Sequence, residues 1–306
     1  MNTSPPRVTI ILPVFNGGTT LLSAVQSVID QCYLDWELII VDDGSTDNCV
    51  KMIAPLNDPR IKIHSDGLRK GLATRLNEGI DWSTGIYIAR MDADDLCFYD
   101  RIQKQVDYLD AHQEIDLVAT RVVGFSMRET GLSFGVLPYC EKHEELSASP
   151  WGGIYMPHPS WMGRAAWFRK YRYLMPEVLR AEDQELLLRA MPGSRYYCLP
   201  EILLAYRQGS LQLRKSLLAR RELFKCQLKI FLSRRQWGYL LRTLSLTFQK
   251  MSFDLLRSVF PRLEISSVNR LEEIPPEKLK QFYLMLQKYE GFSNALLDKT
   301  NFHTTT

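Results

Sequence analysis

The sequence has no C-x-x-C pair; its six cysteines, Cys32, Cys49, Cys97, Cys140, Cys198 and Cys226, are scattered along 306 residues. That spacing predicts neither a zinc site nor a disulfide framework, and it suits a reducing compartment. The stretch from Met1 to Arg7 lacks the basic and apolar order of a signal peptide, so a cytoplasmic location is expected. No G-x-G-x-x-G follows the first apolar run, and G-x-x-x-x-G-K-[ST] does not occur. A dinucleotide dehydrogenase or a P-loop ATPase is therefore disfavoured. Long membrane-type runs are missing as well. No charge separates Arg7 from Asp30, but Pro13, Asn16, Gly17, Gly18 and Gln26 interrupt the stretch, which predicts strand, loop and helix instead of a span.

Charges of both signs are present and unevenly placed. From Arg207 to Arg262 there are 13 Lys and Arg against two acids, Glu222 and Asp254, a local +11 that leaves −8 for the rest of a chain whose total is +3. Two surfaces with different tasks are implied. A hydrophobic fraction of 45% is ordinary for a globular protein of one large domain or two.

The first third alternates β-branched apolar runs with helical patterns. Arg7 to Asn16 reads as a strand buried on both faces, Trp36 to Asp47 as a second buried strand that stops abruptly in polar turn residues, and Arg60 to His64 as a weaker third. Helices are expected from Thr19 and from Gly71 to Ile80, and Ser45 or Thr46 is expected to cap a helix after the second strand. This alternation predicts a parallel, doubly wound α/β sheet. Ligands bind outside the carboxyl ends of such strands, which is where Asn16, Asp42, Asp43, Asp92 and Asp94 fall.

The stretch Tyr87-Ile-Ala-Arg-Met-Asp-Ala-Asp-Asp-Leu96 ends in three carboxylates, Asp92, Asp94 and Asp95. Acids so close repel one another unless a cation sits among them, and hard oxygen ligands suit Mg2+ or Mn2+ together with a diphosphate. The plain alternative is a solvated acidic turn. Asp43 has two readings as well: an acceptor for a base or ribose, or a turn carboxylate bonded to its own backbone.

The set Pro13-Val-Phe-Asn16, Val41-Asp-Asp-Gly-Ser-Thr-Asp47, Gly71-Leu-Ala-x-x-Leu-Asn-x-Gly-Ile80 and Ala89-Arg-Met-Asp-Ala-Asp-Asp95 resembles the family 2 glycosyltransferases. The resemblance covers roughly the first two thirds of the chain, and several motifs in fixed order are more specific than one. It implies a GT-A fold, a Rossmann-like, mostly parallel sheet with helices on both faces, and a nucleotide-diphosphate sugar donor, expected to be UDP-linked, with a divalent cation. By the same resemblance Pro13, Phe15 and Asp43 line the base pocket, Asp92 faces ribose and phosphates, and Asp94 binds the metal, with Asp92 as a second candidate ligand.

Further along, a helix is expected from Tyr99 to His112, a strand from Asp116 to Gly124 and a hairpin turn at Arg128 to Gly131. His158 stands in a proline-stiffened loop, where a histidine is usually a hydrogen-bonded core or surface residue; the family often carries His-Pro-Ser here, which supports a site role equally. Glu182 and Asp183 open a helix, where acids complement its dipole. The resemblance gives Asp183 the further role of catalytic base. After Tyr206-Arg207 many relatives continue with a histidine, whereas this chain reads Gln208-Gly-Ser210; if that histidine helps hold the metal in relatives, this chain lacks the ligand or uses water in its place. The Gln-x-x-Arg-Trp motif of processive members is missing too, which predicts one sugar per encounter.

Residues 208–306 are expected to form a helical region after a catalytic domain at 1–207. Its basic, apolar helices suit either an anionic membrane surface or a bundle packed on the catalytic domain. No nucleic-acid motif accompanies the charge. The resulting expectation is an inverting, metal-dependent hexosyltransferase acting on a glycan or lipid-linked acceptor. A nucleotidyltransferase and a non-catalytic binding module of the same fold are the alternatives.

Overall fold

The computed structural model describes residues 5–128, 131–175, 180–209, 213–259 and 274–292. Strand β1 (Val8–Val14) leads into helix α1 (Thr20–Ile29) and β2 (Trp36–Asp42). Next come β3 (Ile61–Ser65), α2 (Leu72–Trp82), β4 (Tyr87–Arg90) and the two-residue β5 (Leu96–Cys97). Helix α3 (Arg101–Ala111) precedes β6 (Leu117–Arg128) and β7 (Gly131–Val136), and then come the short α4 (His143–Leu146), β8 (Met162–Arg164) and α5 (Ala165–Lys170). Helix α6 (Glu182–Ala190) and β9 (Tyr196–Arg207) complete the sheet, and the chain continues through α7 (Leu213–Ser233), α8 (Trp237–Val259) and α9 (Pro276–Glu290).

The strands form one sheet in the order β3-β2-β1-β4-β8-β6-β9-β5, with β7 on β6. Parallel pairing joins β3, β2, β1 and β4, and also β6 and β9, while β8 and β5 run antiparallel to their neighbours. The expected mostly parallel sheet is borne out. The expected turn at Arg128 to Gly131 joins antiparallel strands, with Arg128 opposite Gly131; its central residues, like the tail from Asn301, lie outside the described residues.

Period-2 alternation sends β1 side chains to two cores. Val8, Ile10 and Leu12 pack with α1 and with Ile102, Val106 and Leu109 of α3. Ile11 packs on the other face with Ile39, Val41, Leu76 and Ile80, in the same core as Leu186 and Leu187 of α6 and Phe231 of α7. Helix α2 lies close to β1 because position 79 is glycine: a Cβ there would stand 2.5 Å from Ile11 Cγ2.

The C-terminal helices pack on this sheet. Phe282, Met285 and Leu286 of α9 are buried with Phe125 and Val136, each burial worth about 1.5–3 kcal/mol. The Ser23 hydroxyl of α1 donates to the Tyr289 carbonyl (2.7 Å). No described helix is long and apolar enough to cross a membrane, and all six cysteines are free.

Candidate active site

Register in the parallel sheet carries the ends of β1, β2 and β4 to one edge. Pro13 pairs with Val41 and Val14 with Asp42. Beyond them Asn16 adopts φ +52°; its Oδ1 accepts from the Thr46 backbone N–H (2.8 Å), and its own N–H donates to Ser45 Oγ (2.9 Å). Ser45 and Thr46 therefore tie two loops together and do not cap a helix. After β2 the chain enters a 3₁₀ turn at Cys49–Met52 with no side-chain cap, where Asp47 accepts from the Cys49 N–H (3.1 Å). The capping expectation failed because these hydroxyl residues had a nearer partner in Asn16.

Asp42 is buried and fixes the same corner, accepting from the Ser45 N–H (2.9 Å) and the Ser65 hydroxyl (2.7 Å). Asp43 accepts from the backbone N–H groups of Lys70 (2.6 Å) and Gly71 (2.9 Å) and from Arg75 Nε (3.0 Å). These bonds fold the Lys70–Gly71 turn over the edge. These bonds go to a segment distant in sequence, whereas the turn reading expected a carboxylate bonded to its own backbone, and Asp43 also lines the cleft.

That cleft has a volume of about 770 Å³. Phe15, Asp43, Arg69 and Gly71 line it at the sheet edge, with the Arg69 guanidinium 4.0 Å over the Phe15 ring. Arg180, Glu182, Asp183 and Gln184 line it at the start of α6, and Ser216, Ala219, Arg220 and Leu223 of α7 close it. The cleft therefore has walls on both sides of residue 207. Pro13 lies buried within β1 and, like Asn16, Asp92 and Asp94, is not among the lining residues.

Ala181 holds a left-handed backbone (φ +62°, ψ +32°) directly before the acid pair, a conformation costing a non-glycine residue about 1–3 kcal/mol. Gln184 anchors this start: its Oε1 accepts from the Ile154 N–H (2.8 Å), and its Nε2 donates to the Ile154 carbonyl (2.9 Å) and to Asp183 Oδ2 (3.3 Å). Glu182 and Asp183 are half-buried and line the cleft. Burial, then the Asp183 charge, pushes the Glu182 carboxyl up to about 7, and burial raises Asp183. A carboxyl raised as far as that of Glu182 can hold and release a proton near neutral pH.

Beside the cleft, Asp92, Asp94 and Asp95 offer carboxylate oxygens all within 4.8 Å of one another. Asp94 is an exposed residue, but the protein packed around its carboxyl and then the Asp92 charge push it up to about 6. Asp95 is wholly buried; Oδ1 accepts from the Arg207 N–H (2.8 Å), and Oδ2 has no partner among the described residues. Crowded oxygen donors, one of them orphaned, fit a hard divalent cation.

Arg90 joins the two acid groups. It is 4% exposed, pairs with Asp92 through both terminal nitrogens (Nη1 to Oδ2, 2.9 Å), and feels the charges of Asp95 and Glu182. Sequence reasoning gives this residue no role, although it leaves a signal: a lone cation between an apolar strand and three acids. His158 lies behind the site, buried against Trp161, with Nε2 and the Tyr173 hydroxyl sharing a 2.7 Å hydrogen bond. Burial, with Arg90 nearby, holds it well below the usual histidine range. The chain also departs from the His pattern where expected: Gln208 is exposed and its amide lies against Gly124.

The sheet order, the acids at its carboxyl edge and the cleft beside them define the class, a GT-A transferase. The model of glycosyl transferase family 2 matches residues 9–172, and the chain belongs to that family. It is 33% identical over 226 residues to EpsE of Bacillus subtilis (strain 168), named as a glycosyltransferase, covering 68% of this chain and 75% of that one. A 102-residue match, 32% identical, covers 33% of this chain and 40% of WfgD of Escherichia coli, named as a UDP-Glc:alpha-D-GlcNAc-diphosphoundecaprenol beta-1,3-glucosyltransferase. The fold is similar to S. aureus TarS 1-349 in complex with UDP-GlcNAc (TM-score 0.62, 17% identity, 92% of this chain and 80% of that one). It is likewise similar to the mannosyltransferase PcManGT of Pyrobaculum calidifontis in complex with GDP-Man and Mn2+ (TM-score 0.59, 17% identity, 96% and 85% covered).

Proposed function

We propose that the enzyme transfers one sugar, with inversion, from a nucleotide-diphosphate sugar, UDP-linked, to a hydroxyl of a lipid-linked glycan acceptor. The observation that carries this reading is the raised Glu182–Asp183 pair, set in one cleft with Phe15 and Asp43 and coupled through Arg90 to Asp92. The names of WfgD and of the two nucleotide-sugar complexes support the donor class, and WfgD's name supports the acceptor class.

In this reading the nucleoside lies against Phe15 and Asp43 with Pro13 and Asn16 supporting that edge, and Asp92 faces the ribose and phosphates. Asp183 takes the proton of the acceptor hydroxyl. The hydroxyl oxygen bonds to the anomeric carbon as that carbon's bond to the donor diphosphate breaks, and the nucleoside diphosphate leaves with the electron pair. No sugar is held covalently by the enzyme. Asp94, with Asp92, would hold a divalent cation, Mg2+ or Mn2+, whose positive charge would offset that of the departing diphosphate. Arg90 keeps Asp92 in place and balances the neighbouring acids, and Gln184 aims Asp183.

The site is tested by Asp183→Asn, which should lower transfer by ~10² or more while nucleoside diphosphate binding persists; a fully active variant would remove Asp183 from the role of base. Helix α8 bears on the setting. Trp237, Leu241, Leu244, Phe248 and Met251 recur at four- and three-residue steps and are 43–74% exposed. Within the basic excess of residues 207–262, such a face suits the inner, anionic surface of a membrane. Sedimentation with anionic vesicles should carry the protein down and Phe248→Asp should release it; protein left in the supernatant would count against membrane docking.

A further inference from the structure

The turn that carries the three acids is gripped by two successive backbone carbonyls, and both grips lead to the last turn of α9. The Thr20 hydroxyl, at the start of α1, is shared between the carbonyls of Gly17 (2.7 Å) and Ala93 (3.1 Å). Arg207 Nε donates to the next carbonyl, that of Asp94 (2.9 Å). Its Nη2 stands 2.8 Å from Glu290 Oε1, and its guanidinium lies 4.7 Å over the Phe125 ring. Both atoms of this ion pair are buried, with no further hydrogen-bond partner among the described residues. Glu290 ends α9, and the same turn is bound to α1: the Ser23 hydroxyl donates to the Tyr289 carbonyl, while the Tyr289 hydroxyl and the Lys288 ammonium both meet Asp30 Oδ2 (2.7 Å each).

An arginine serving only as counter-charge would turn its fork to the neighbouring carboxylates. This one spends Nε on a carbonyl and Nη2 on another helix, and it reaches Asp95 through its backbone N–H. We infer that Arg207 and Glu290 are positioning residues for the divalent cation: the end of α9 fixes the Asp94 peptide, and so the angle at which Asp92 and Asp94 present their oxygens. This rests on the reading of those two aspartates as holders of the cation. It goes further in making their geometry depend on α9, which lies outside the residues 9–172 matched by the family model. Small octahedral cations tolerate little error in ligand placement, and partners one shell behind the ligands typically govern metal affinity by 10–100-fold.

The test is titration of Mn2+ into the full chain without nucleotide, free Mn2+ being read by electron paramagnetic resonance, together with amide hydrogen exchange over residues 91–97. Arg207→Gln should weaken Mn2+ about tenfold and speed exchange in that stretch. The sign decides the matter, because loss of a positive charge beside the acids would by itself tighten cation binding. Arg207→Lys, which keeps the charge and one donor, should weaken Mn2+ less. Glu290→Gln, nearly the same shape, should also speed exchange and weaken Mn2+ severalfold; it carries the test if Arg207→Gln does not fold. Leu279→Ala, in the first turn of α9, should lower the melting temperature while Mn2+ affinity stays within twofold of the parent. Unchanged or tighter Mn2+ binding in Arg207→Gln, unchanged exchange in Glu290→Gln, or equal weakening in Leu279→Ala would overturn the inference. If the parent binds no Mn2+, or Asp94→Asn binds it equally well, the cation reading falls, and exchange in Glu290→Gln alone decides whether α9 holds the acid turn.

Discussion

The two edges of the parallel sheet treat carboxylates in opposite ways. At the amino edge Glu37 is 3% exposed and fully served: Thr9 (2.6 Å), the Thr84 hydroxyl (2.6 Å) and Lys62 (2.6 Å) donate to it. Burial alone would raise it, but these bonds bring it below the ordinary range. At the carboxyl edge Asp94 and Asp95 are raised by burial and by their neighbours, and one oxygen of Asp95 has no partner among the described residues. A buried acid whose bonds are complete is part of the framework. One left crowded and short of donors stores an interaction for something that binds.

The two edges should differ most in activity. Asp94→Asn should lower transfer on the order of 10²–10³ fold, several kcal/mol of lost stabilisation for the leaving diphosphate, measured as kcat/KM over a Mn2+ titration. Glu37→Gln should leave kcat/KM within a factor of two. Near-parental activity in Asp94→Asn would erase the distinction between the edges.

Stability should show the reverse order. Glu37→Gln removes the charged acceptor of a buried network and should cost about 1–3 kcal/mol, read as a lower urea midpoint at constant slope. A smaller loss would mean that Thr9, Thr84 and Lys62 find other partners.

The same contrast explains how much was legible in the sequence. Strands β1 and β2 were readable because both faces are buried, so apolar runs ended abruptly in polar edge residues. The edge itself followed from topology, which brought Asn16, Asp43 and Asp92 together across seventy-odd positions. What could not be read was who satisfies whom. The distinction between a committed carboxylate such as Asp42 and an uncommitted one such as Asp94 depends on where distant donors aim: the Ser65 hydroxyl donates to the Asp42 carboxylate, whereas Arg207 Nε donates to the Asp94 backbone carbonyl. Arg90 looked like an ordinary strand-end charge, and its burial among acids appears only in three dimensions. Helical periodicity gave α7 an apolar face but not the neighbour it meets, so Arg220 and Leu223 were not connected with Asp183.

A third prediction concerns pH. His158 is held neutral, with its folded value well below the unfolded one of about 6.5. The unfolded chain binds the extra proton, so this contribution is present above about pH 6.5 and is lost as pH falls, at up to ~1.4 kcal/mol per unit. Glu182 acts oppositely: raised to about 7 in the fold, it takes up a proton first and adds stability as pH falls from 7 toward its unfolded value. His158→Gln should therefore show a shallower acid loss than the parent between pH 6.5 and 5.5. Parallel curves would mean that His158 charges inside the fold.

The most discriminating effect is also the smallest. Without metal, Asp94→Asn removes one charge from a self-repelling cluster and should stabilise the fold slightly, by about 0.2–1 kcal/mol once screening at its exposed carboxylate is allowed for. Adding Mn2+ should invert the order, because the parent gains stability from a ligand that binds only its folded state and the variant gains little. Thermal melts of both proteins in chelator and in Mn2+ make a closed cycle whose sign change belongs to the cation site alone; Glu37→Gln, carried through the same four melts, should shift by the same amount with and without metal. If Asp94→Asn destabilises in chelator as well, the carboxyl edge is held by bonds in the way the amino edge is, and the acids there are framework after all.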